Sequence, residues 1–250
     1  IFQERLYAIQ WIEQSTLDAG RQETYFAAVD EDDLAREAKI EKLVRENLTD
    51  WQAKGYVPDM EIEPGDKTDE PIRTRGWRYW HQLFNSRQLL MHALFQKACT
   101  SPSTYTLAAR GLDYASRLCR WDAGHAGSSP QAMGTFTNQA LNTLYNYGCK
   151  AGSHLCSLMR VPKPHFPVSS NTDIRLQESK VVTTVSDLWI TDPPYADAVN
   201  YHEITEFFIA WLRTNPPAPF DQWTWDSRRA LAIKGDGDDF RRGMIDAYSA

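Results

Sequence analysis

An aspartate, two prolines and a tyrosine stand side by side at Asp192, Pro193, Pro194 and Tyr195. The apolar, β-branched segments 181–185 and 188–191 directly before them predict short strands of a buried sheet. In α/β sheets, the side chains that do chemistry lie beyond the carboxyl ends of the strands. Prolines fix φ and lack an N–H group, so they make such a loop stiff. The pattern predicts a rigid loop at the rim of a sheet, although a strand-ending turn with a chance Pro-Pro has the same appearance.

These four residues resemble the Asp-Pro-Pro-Tyr motif of amino-methyltransferases, which use S-adenosylmethionine on a Rossmann-like sheet to modify exocyclic amines of nucleic-acid bases. The resemblance implies that the Asp192 carboxylate and the Pro193 carbonyl accept hydrogen bonds from both hydrogens of an adenine amino group. Its nitrogen lone pair would then face the methyl group. Tyr195 would stack on the extruded base. An initial aspartate implies adenine N6, whereas serine is more usual for cytosine N4 and asparagine for other amines.

Three blocks of the chain extend this resemblance to the large bacterial adenine-specific DNA methylases of phage-defence and restriction-like gene clusters. The blocks cover 192–213, 75–90 and 136–142. The family's Phe-x-Gly-x-Gly cofactor turn is absent, because the glycines at 235 and 237 lack a convincing strand before them. We expect that turn upstream of Ile1. Asp173 and Asp192 are the candidate cofactor contacts, and Asp173 alternatively is a simple loop acid.

Basic and aromatic residues interleave in a second candidate segment, at Arg75, Trp77, Arg78 and Trp80, with Arg87 further along. Arginine grips phosphate and aromatic rings stack on bases, so the segment predicts nucleic-acid contacts. The alternative is that the tryptophans pack into a helical core while the arginines are solvated.

Composition excludes several classes of protein. The chain has 250 residues, 42% of them hydrophobic and 12% aromatic, which is typical of a globular protein rather than a disordered one. No run of about 18 apolar residues indicates a membrane span, and no secretory signal is visible. The net charge of −6 argues against a wholly basic nucleic-acid coat but permits a local basic groove. The four cysteines have no C-x2-C spacing, so we expect no metal site and a reduced, cytoplasmic setting.

The pattern of elements divides the chain into a mainly helical portion, 1–160, and a portion of α/β character, 161–250. The second portion is expected to be part of the Rossmann-like methyltransferase domain, with further parts of the functional unit beyond both ends. Irregular connections are expected at 56–74 and 122–134. Asp30 is the predicted N-cap of a helix that Gly55 ends. Helices are further predicted at 2–16, 86–99, 103–120, 137–148, 200–213 and 239–248.

The sequence thus leads to one principal expectation, S-adenosylmethionine-dependent methylation of adenine N6 in DNA within a restriction-modification or anti-phage system. Its partners would be DNA and other defence proteins. His202 and Glu203 are expected to support the loop, because amine methylation needs no strong base. Two alternatives stay open. One is a non-catalytic DNA-binding or scaffolding piece of a defence complex, and the other is an amino-methyltransferase that acts on cytosine N4, RNA or a protein amide.

Overall fold

The computed structural model describes nearly all of the first 124 residues and most of the last 50. The described ranges are 4–124, 130–145, 148–152, 155–156, 171–175, 177–193, 199–227, 229–234 and 237–249. Within these ranges, four short strands form two antiparallel pairs, β1 (Ala8–Ile12) with β2 (Thr24–Ala28) and β3 (Trp121–Asp122) with β4 (Gln131–Ala132). The helices are α1 (Glu31–Ala53), α2 (Asp69–Arg75), α3 (Ser86–Ala98), α4 (Pro102–Tyr114), α5 (Tyr201–Ile204), α6 (Glu206–Leu212) and α7 (Gly237–Ser249).

The start and end of α1 confirm the sequence prediction. The Asp30 side chain accepts a hydrogen bond from the Asp33 N–H at 2.8 Å, and the Asp33 carboxylate accepts one from the Asp30 N–H at 3.3 Å. This reciprocal cap satisfies donors that the first helical turn leaves unpaired. Gly55 follows the helix at φ +69°, where a Cβ would lie 2.8 Å from the Thr214 carbonyl oxygen. Only glycine fits both the backbone angle and that close approach.

Helices α3 and α4 begin with the same type of cap. Asn85 caps α3 by accepting from the Gln88 N–H at 2.9 Å, and Ser101 caps α4 by accepting from the Thr104 N–H at 3.3 Å. The predicted α3 is therefore confirmed. Helix α4 ends at Tyr114, six residues before the expected end. The chain turns there, and the Arg117 N–H donates to the Leu83 carbonyl at 2.8 Å.

The hydrophobic core joins the first helices to α6. The rings of Phe84 and Phe207 stack with centroids 5.4 Å apart, and Trp211 meets Phe84 edge-on at 5.0 Å. Trp80 and Leu83 are also fully buried in this cluster. The amphipathic 200–213 helix is confirmed as α5 and α6, which meet at Thr205. A helix from the second predicted portion thus completes the core of the first, while the boundary at 160 stays a prediction.

Two predicted helices are wrong. Residues 2–16 were expected to be helical, but the chain forms the β1–β2 hairpin, in which Trp11 faces Tyr25 across the strands. Cross-strand aromatic pairs of this kind stabilise a hairpin, and the partner strand lies outside the segment whose pattern predicted a helix. In the described part of 137–148 the chain forms turns instead of a helix. Tertiary hydrogen bonds hold this region, such as the one from the Thr143 hydroxyl to a Glu70 carboxylate oxygen at 2.8 Å.

The strands predicted at 181–185 and 188–191 are also wrong. A 3-10 turn covers Ser179–Val181, and residues 182–193 have no regular secondary structure. Val185 is 97% exposed and Ile190 is 88% exposed. A strand forms only where a neighbouring strand satisfies its N–H and C=O groups, and no described strand pairs with this segment. The described residues form a mixed helical structure with two small antiparallel sheets, and a Rossmann-like sheet stays a proposal.

Helices α2 and α7 complete the comparison with the sequence. Helix α7 confirms the helical pattern at 239–248. Helix α2 lies in a segment expected to be irregular, although Asp69 and Glu70 in its first turn and Gly76 after its end are typical helix signals. In the described part of the chain, no helix is both long and apolar enough to cross a membrane.

Candidate functional site

The loop that carries Asp192 lies at the surface. Asp192 and Pro193 are exposed, so the carboxylate is accessible to a molecule from solution. The hydroxyl groups of Thr191 and Tyr248 lie within hydrogen-bond distance at 3.0 Å, which connects the residue before Asp192 to helix α7. Pro194 and Tyr195 fall outside the described residues.

Asp173, the second candidate cofactor contact, is also exposed. Its carboxylate pairs with the Arg175 guanidinium at 2.5 Å, and both side chains are more than half exposed. S-adenosylmethionine is a large molecule with a nucleoside, an amino-acid group and a sulfonium. Since Asp173, Asp192 and their described sequence neighbours are exposed, these residues by themselves do not enclose a molecule of that size. Asp173 and Asp192 with their described neighbours therefore do not hold the cofactor by themselves.

Immediately after this loop, Glu203 on α5 reaches the start of α2. One Glu203 oxygen, Oε2, accepts hydrogen bonds from the N–H groups of Lys67 at 2.8 Å and Thr68 at 3.2 Å. The Thr68 hydroxyl lies 3.5 Å from the same oxygen. Glu203 therefore satisfies backbone donors just before α2. At most helix starts, a side chain from the helix's own N-terminal residues accepts these hydrogen bonds.

Arg229 forms the second half of this cluster. Its Nε and Nη2 donate to the two carboxylate oxygens of Glu206 at 2.6 and 2.7 Å, a forked pair of charge-assisted hydrogen bonds. Its Nη1 and Nη2 also donate to the carbonyls of Pro64 at 3.1 Å and Glu63 at 2.9 Å. Glu206 is only 1% exposed, so the guanidinium supplies the positive charge that this buried carboxylate requires.

Gly65 lies between these charged groups. A Cβ at this position would stand 2.6 Å from the Glu203 Oε2 atom and 2.7 Å from the Arg229 Nη1 atom. We call the set of Gly65, Thr68, Glu203, Glu206 and Arg229 the acid–arginine cluster. The cluster joins three segments that are distant in the sequence.

The electrostatics of the cluster favour an ionised Glu203. Burial alone would raise the pKa of its carboxyl, but the N–H groups of Lys67 and Thr68 and the Arg229 charge outweigh burial, and the pKa is lowered. The Nε2 atom of His202 lies 3.7 Å from the Glu203 Oε1 atom. Burial first, and then the charge of Lys234, lower the pKa of His202. A neutral imidazole beside a fully hydrogen-bonded carboxylate agrees with a supporting role for both residues.

The basic and aromatic segment divides into surface and core residues. Arg78 is exposed and Trp77 is half-buried. The guanidinium carbons of Arg75 and Arg117 lie 5.8 and 5.5 Å from the centroid of the Trp77 ring, within cation–π range. Arg75 also donates to the Thr143 carbonyl. Arg75 and Arg117 therefore hold the Trp77 indole in place, while Arg78 faces solvent.

The structure buries one of the predicted nucleic-acid contacts and pairs another with a carboxylate. Trp80 is fully buried, with its ring edge-on to Phe207 at 6.3 Å, so it has no face to offer a base. Its place in the sequence could not separate it from Trp77, because both lie in the same basic run. Arg87 pairs with the Glu37 carboxylate on α1, which reduces its availability for phosphate.

The acid–arginine cluster is the feature that sequence reasoning missed. The sequence predicts a supporting role for Glu203. No local pattern indicates that Glu203 would meet Thr68 and Gly65, or that Arg229 would form a forked pair with Glu206.

Among the described residues, no group of three His, Cys, Asp or Glu side chains could hold a metal ion. Comparison of the chain with protein-family models, with curated proteins and with solved structures finds no match in any of the three.

Proposed function

We propose that this protein is a DNA methyltransferase that transfers a methyl group from S-adenosylmethionine to adenine N6, and that it acts in a restriction-modification or anti-phage system. The observation that carries the proposal is the sequence Asp192-Pro193-Pro194-Tyr195. The exposed position of Asp192 supports it, because a carboxylate that binds an extruded base must be accessible.

In this proposal, the Asp192 carboxylate and the Pro193 carbonyl accept one hydrogen bond each from the adenine amino group. The lone pair of that nitrogen is otherwise delocalised into the ring, so two acceptors make it a better nucleophile and fix its direction. S-adenosylmethionine, when bound, would supply the methyl group as its sulfonium S–CH3 bond breaks to leave a thioether, and the proton that the amino nitrogen loses would pass to water. No general base is required, which agrees with the full engagement of Glu203 in the acid–arginine cluster.

The test is transfer of labelled methyl from S-adenosylmethionine to duplex DNA, single-stranded DNA and RNA, followed by digestion and identification of the methylated nucleoside. We expect N6-methyl-2'-deoxyadenosine, the product from DNA, and no N6-methyladenosine, which RNA would give. Asp192→Ala should lower the rate at least about 100-fold with the fold intact, because it removes an acceptor that orients the reacting atom. The matched control is Asp187→Ala, an exposed aspartate earlier in the same segment, which should react like wild type. Label on cytosine, RNA or protein would contradict the substrate assignment.

The lack of an enclosure for a cofactor around Asp173, Asp192 and their described neighbours favours a second candidate, a DNA-binding piece of a defence complex without catalysis. This candidate predicts salt-dependent DNA binding that is insensitive to Asp192→Ala, with no heat of binding for S-adenosylmethionine in calorimetry. Heat of cofactor binding together with methyl transfer would exclude it.

A further inference from the structure

The loop at 63–68 is held from both sides by charged side chains from distant parts of the chain. Glu203 accepts from the N–H groups of Lys67 and Thr68, and Arg229 donates to the carbonyls of Glu63 and Pro64. Donors and acceptors of the loop backbone are therefore both fixed. Such a loop cannot shift along its own direction without breaking charge-assisted hydrogen bonds.

A simpler arrangement would satisfy the start of a short helix. A local serine or aspartate cap, or water, is enough at most helix starts. Here two carboxylates that are 4% and 1% exposed, Glu203 and Glu206, are buried around one arginine. Burying charges is costly even when they are paired, and such groups are retained in some proteins because they specify one geometry. Gly65 keeps the space that this geometry needs.

The geometry fixes the position of the basic segment. Helix α2 begins directly after Thr68 and carries Arg73 and Arg75 in its last turn, with Trp77 and Arg78 next. Helix α2 has only seven residues, and its backbone hydrogen bonds tie its turns together, so a shift at Thr68 moves the whole short helix as a unit. Glu203 itself stands on α5, a few residues after the Asp192 loop. The acid–arginine cluster thus connects the basic segment, which the sequence predicts to contact nucleic acid, to the helix that follows the Asp192 loop, which the proposed function places on DNA.

We propose that Glu203 and Arg229 are positioning residues that hold the basic segment 73–78 against the helix following the Asp192 loop, and that they thereby set the affinity for DNA. This inference rests on the proposed function. Glu203 contacts the backbone of Lys67 and Thr68, and Arg229 contacts Glu206 and the 63–64 carbonyls. Neither residue is placed on the substrate. Their loss changes how well the DNA is held and leaves the chemistry at Asp192 intact.

The experiment measures DNA binding and methyl transfer for Glu203→Gln and Arg229→Lys at several salt concentrations. Glutamine keeps the shape of Glu203 without its charge, and lysine keeps the charge of Arg229 without its fork. We expect the dissociation constant and the KM for DNA to rise roughly 3- to 30-fold. The kcat should stay within about twofold, because no group at the reacting atoms changes. The salt dependence of binding should stay unchanged, since no phosphate contact is removed.

Two controls separate positioning from general effects of charge. Glu46→Gln removes one exposed carboxylate from α1, where it pairs with Lys42 at 3.8 Å, and should bind DNA like wild type. Arg78→Ala removes an exposed arginine of the segment itself and should reduce the salt slope by about one phosphate contact. Gly65→Ala leaves every charge in place and should weaken binding as Glu203→Gln does.

The outcomes distinguish this inference from the proposed function. Folded Glu203→Gln, Arg229→Lys and Gly65→Ala proteins that bind DNA like wild type would overturn the inference alone. A weakened variant with a reduced salt slope would also overturn it, because the residue would then contact phosphate directly. If Glu203→Gln does not fold, Gly65→Ala and Arg229→Lys decide the question. A wild-type protein that neither binds nor methylates DNA overturns the proposed function.

Discussion

The buried histidine on α3 makes the stability of this protein depend on pH in a calculable way. His92 is fully buried, with the rings of Phe84 and Trp211 edge-on to it at 5.3 and 5.4 Å. Its Nε2 atom lies 2.9 Å from the Ala115 carbonyl oxygen, to which the neutral ring donates. Burial lowers the pKa of His92 from 6.5 to about 4, and the hydrogen bond to Ala115 offsets only part of that effect.

The sign follows from proton linkage. The unfolded chain binds a proton at this histidine near pH 6.5, whereas the folded protein binds it only near pH 4. The contribution of the neutral, buried ring is therefore complete above pH 6.5 and is lost as the pH falls toward 4. One pKa unit corresponds to about 1.4 kcal/mol, so the full loss amounts to about 3 kcal/mol. This is a large part of the 5–15 kcal/mol that is typical of a folded protein.

The assay is urea unfolding, followed by tryptophan fluorescence, at intervals from pH 7.5 to pH 4.5. Wild type should lose free energy of unfolding below pH 6.5, at up to about 1.4 kcal/mol per pH unit from this site. His92→Gln should be less stable than wild type at pH 7.5 but should lack this part of the slope, so that the two curves converge at low pH. His202→Gln is the matched control, because His202 is less deeply buried and should contribute a smaller slope. Equal slopes for wild type and His92→Gln would refute the reasoning and would indicate that the surrounding rings stabilise the charged imidazole.

Two further predictions concern the core and the cap of α1. Phe207→Ala should lower the free energy of unfolding by about 3–5 kcal/mol, because it leaves a cavity beside Phe84. The control Phe26→Ala, at a side chain that is 56% exposed, should lower it far less. Equal losses for the two variants in urea unfolding would contradict the assigned core. Asp30→Ala should cost about 1 kcal/mol by removing the cap of α1, and Asp18→Ala should cost almost nothing, with the difference measured by thermal unfolding and helical circular dichroism. An unchanged melting temperature for Asp30→Ala would show that this cap does not stabilise the protein.

The resemblance of Asp192–Tyr195 to the methyltransferase motif could be recognised from the sequence alone. The structure around that motif could not be predicted from it. The β-branched and apolar residues of 181–191 do favour a strand, yet a strand exists only where another strand pairs with it. No described strand pairs with residues 182–193, so composition alone predicted the wrong state. The exposure of Asp192 likewise depends on how the rest of the chain is arranged around it.

Trp77 and Trp80 show the same limit on the basic segment. Both stand in one run of arginines and aromatics, and both could stack on bases. The structure holds Trp77 half-buried against two arginines and buries Trp80 against Phe207. Which side of a short segment faces the core is decided by the helices that cover it, and α6 comes from far along the chain.

The sequence by itself determined the features whose partners lie within about one helical turn. Asp30 and Asn85 cap their helices with side chains that reach three residues along, and Gly55 ends α1 because it tolerates a positive φ. Only the tertiary structure decided that Glu203 caps the start of α2 and that Arg229 joins Glu206 to a loop at 63–68. The physical reason is that these hydrogen bonds join segments that are far apart in the chain. Glu203 and Thr68, for example, are 135 residues apart. No local sequence pattern indicates which distant groups will meet.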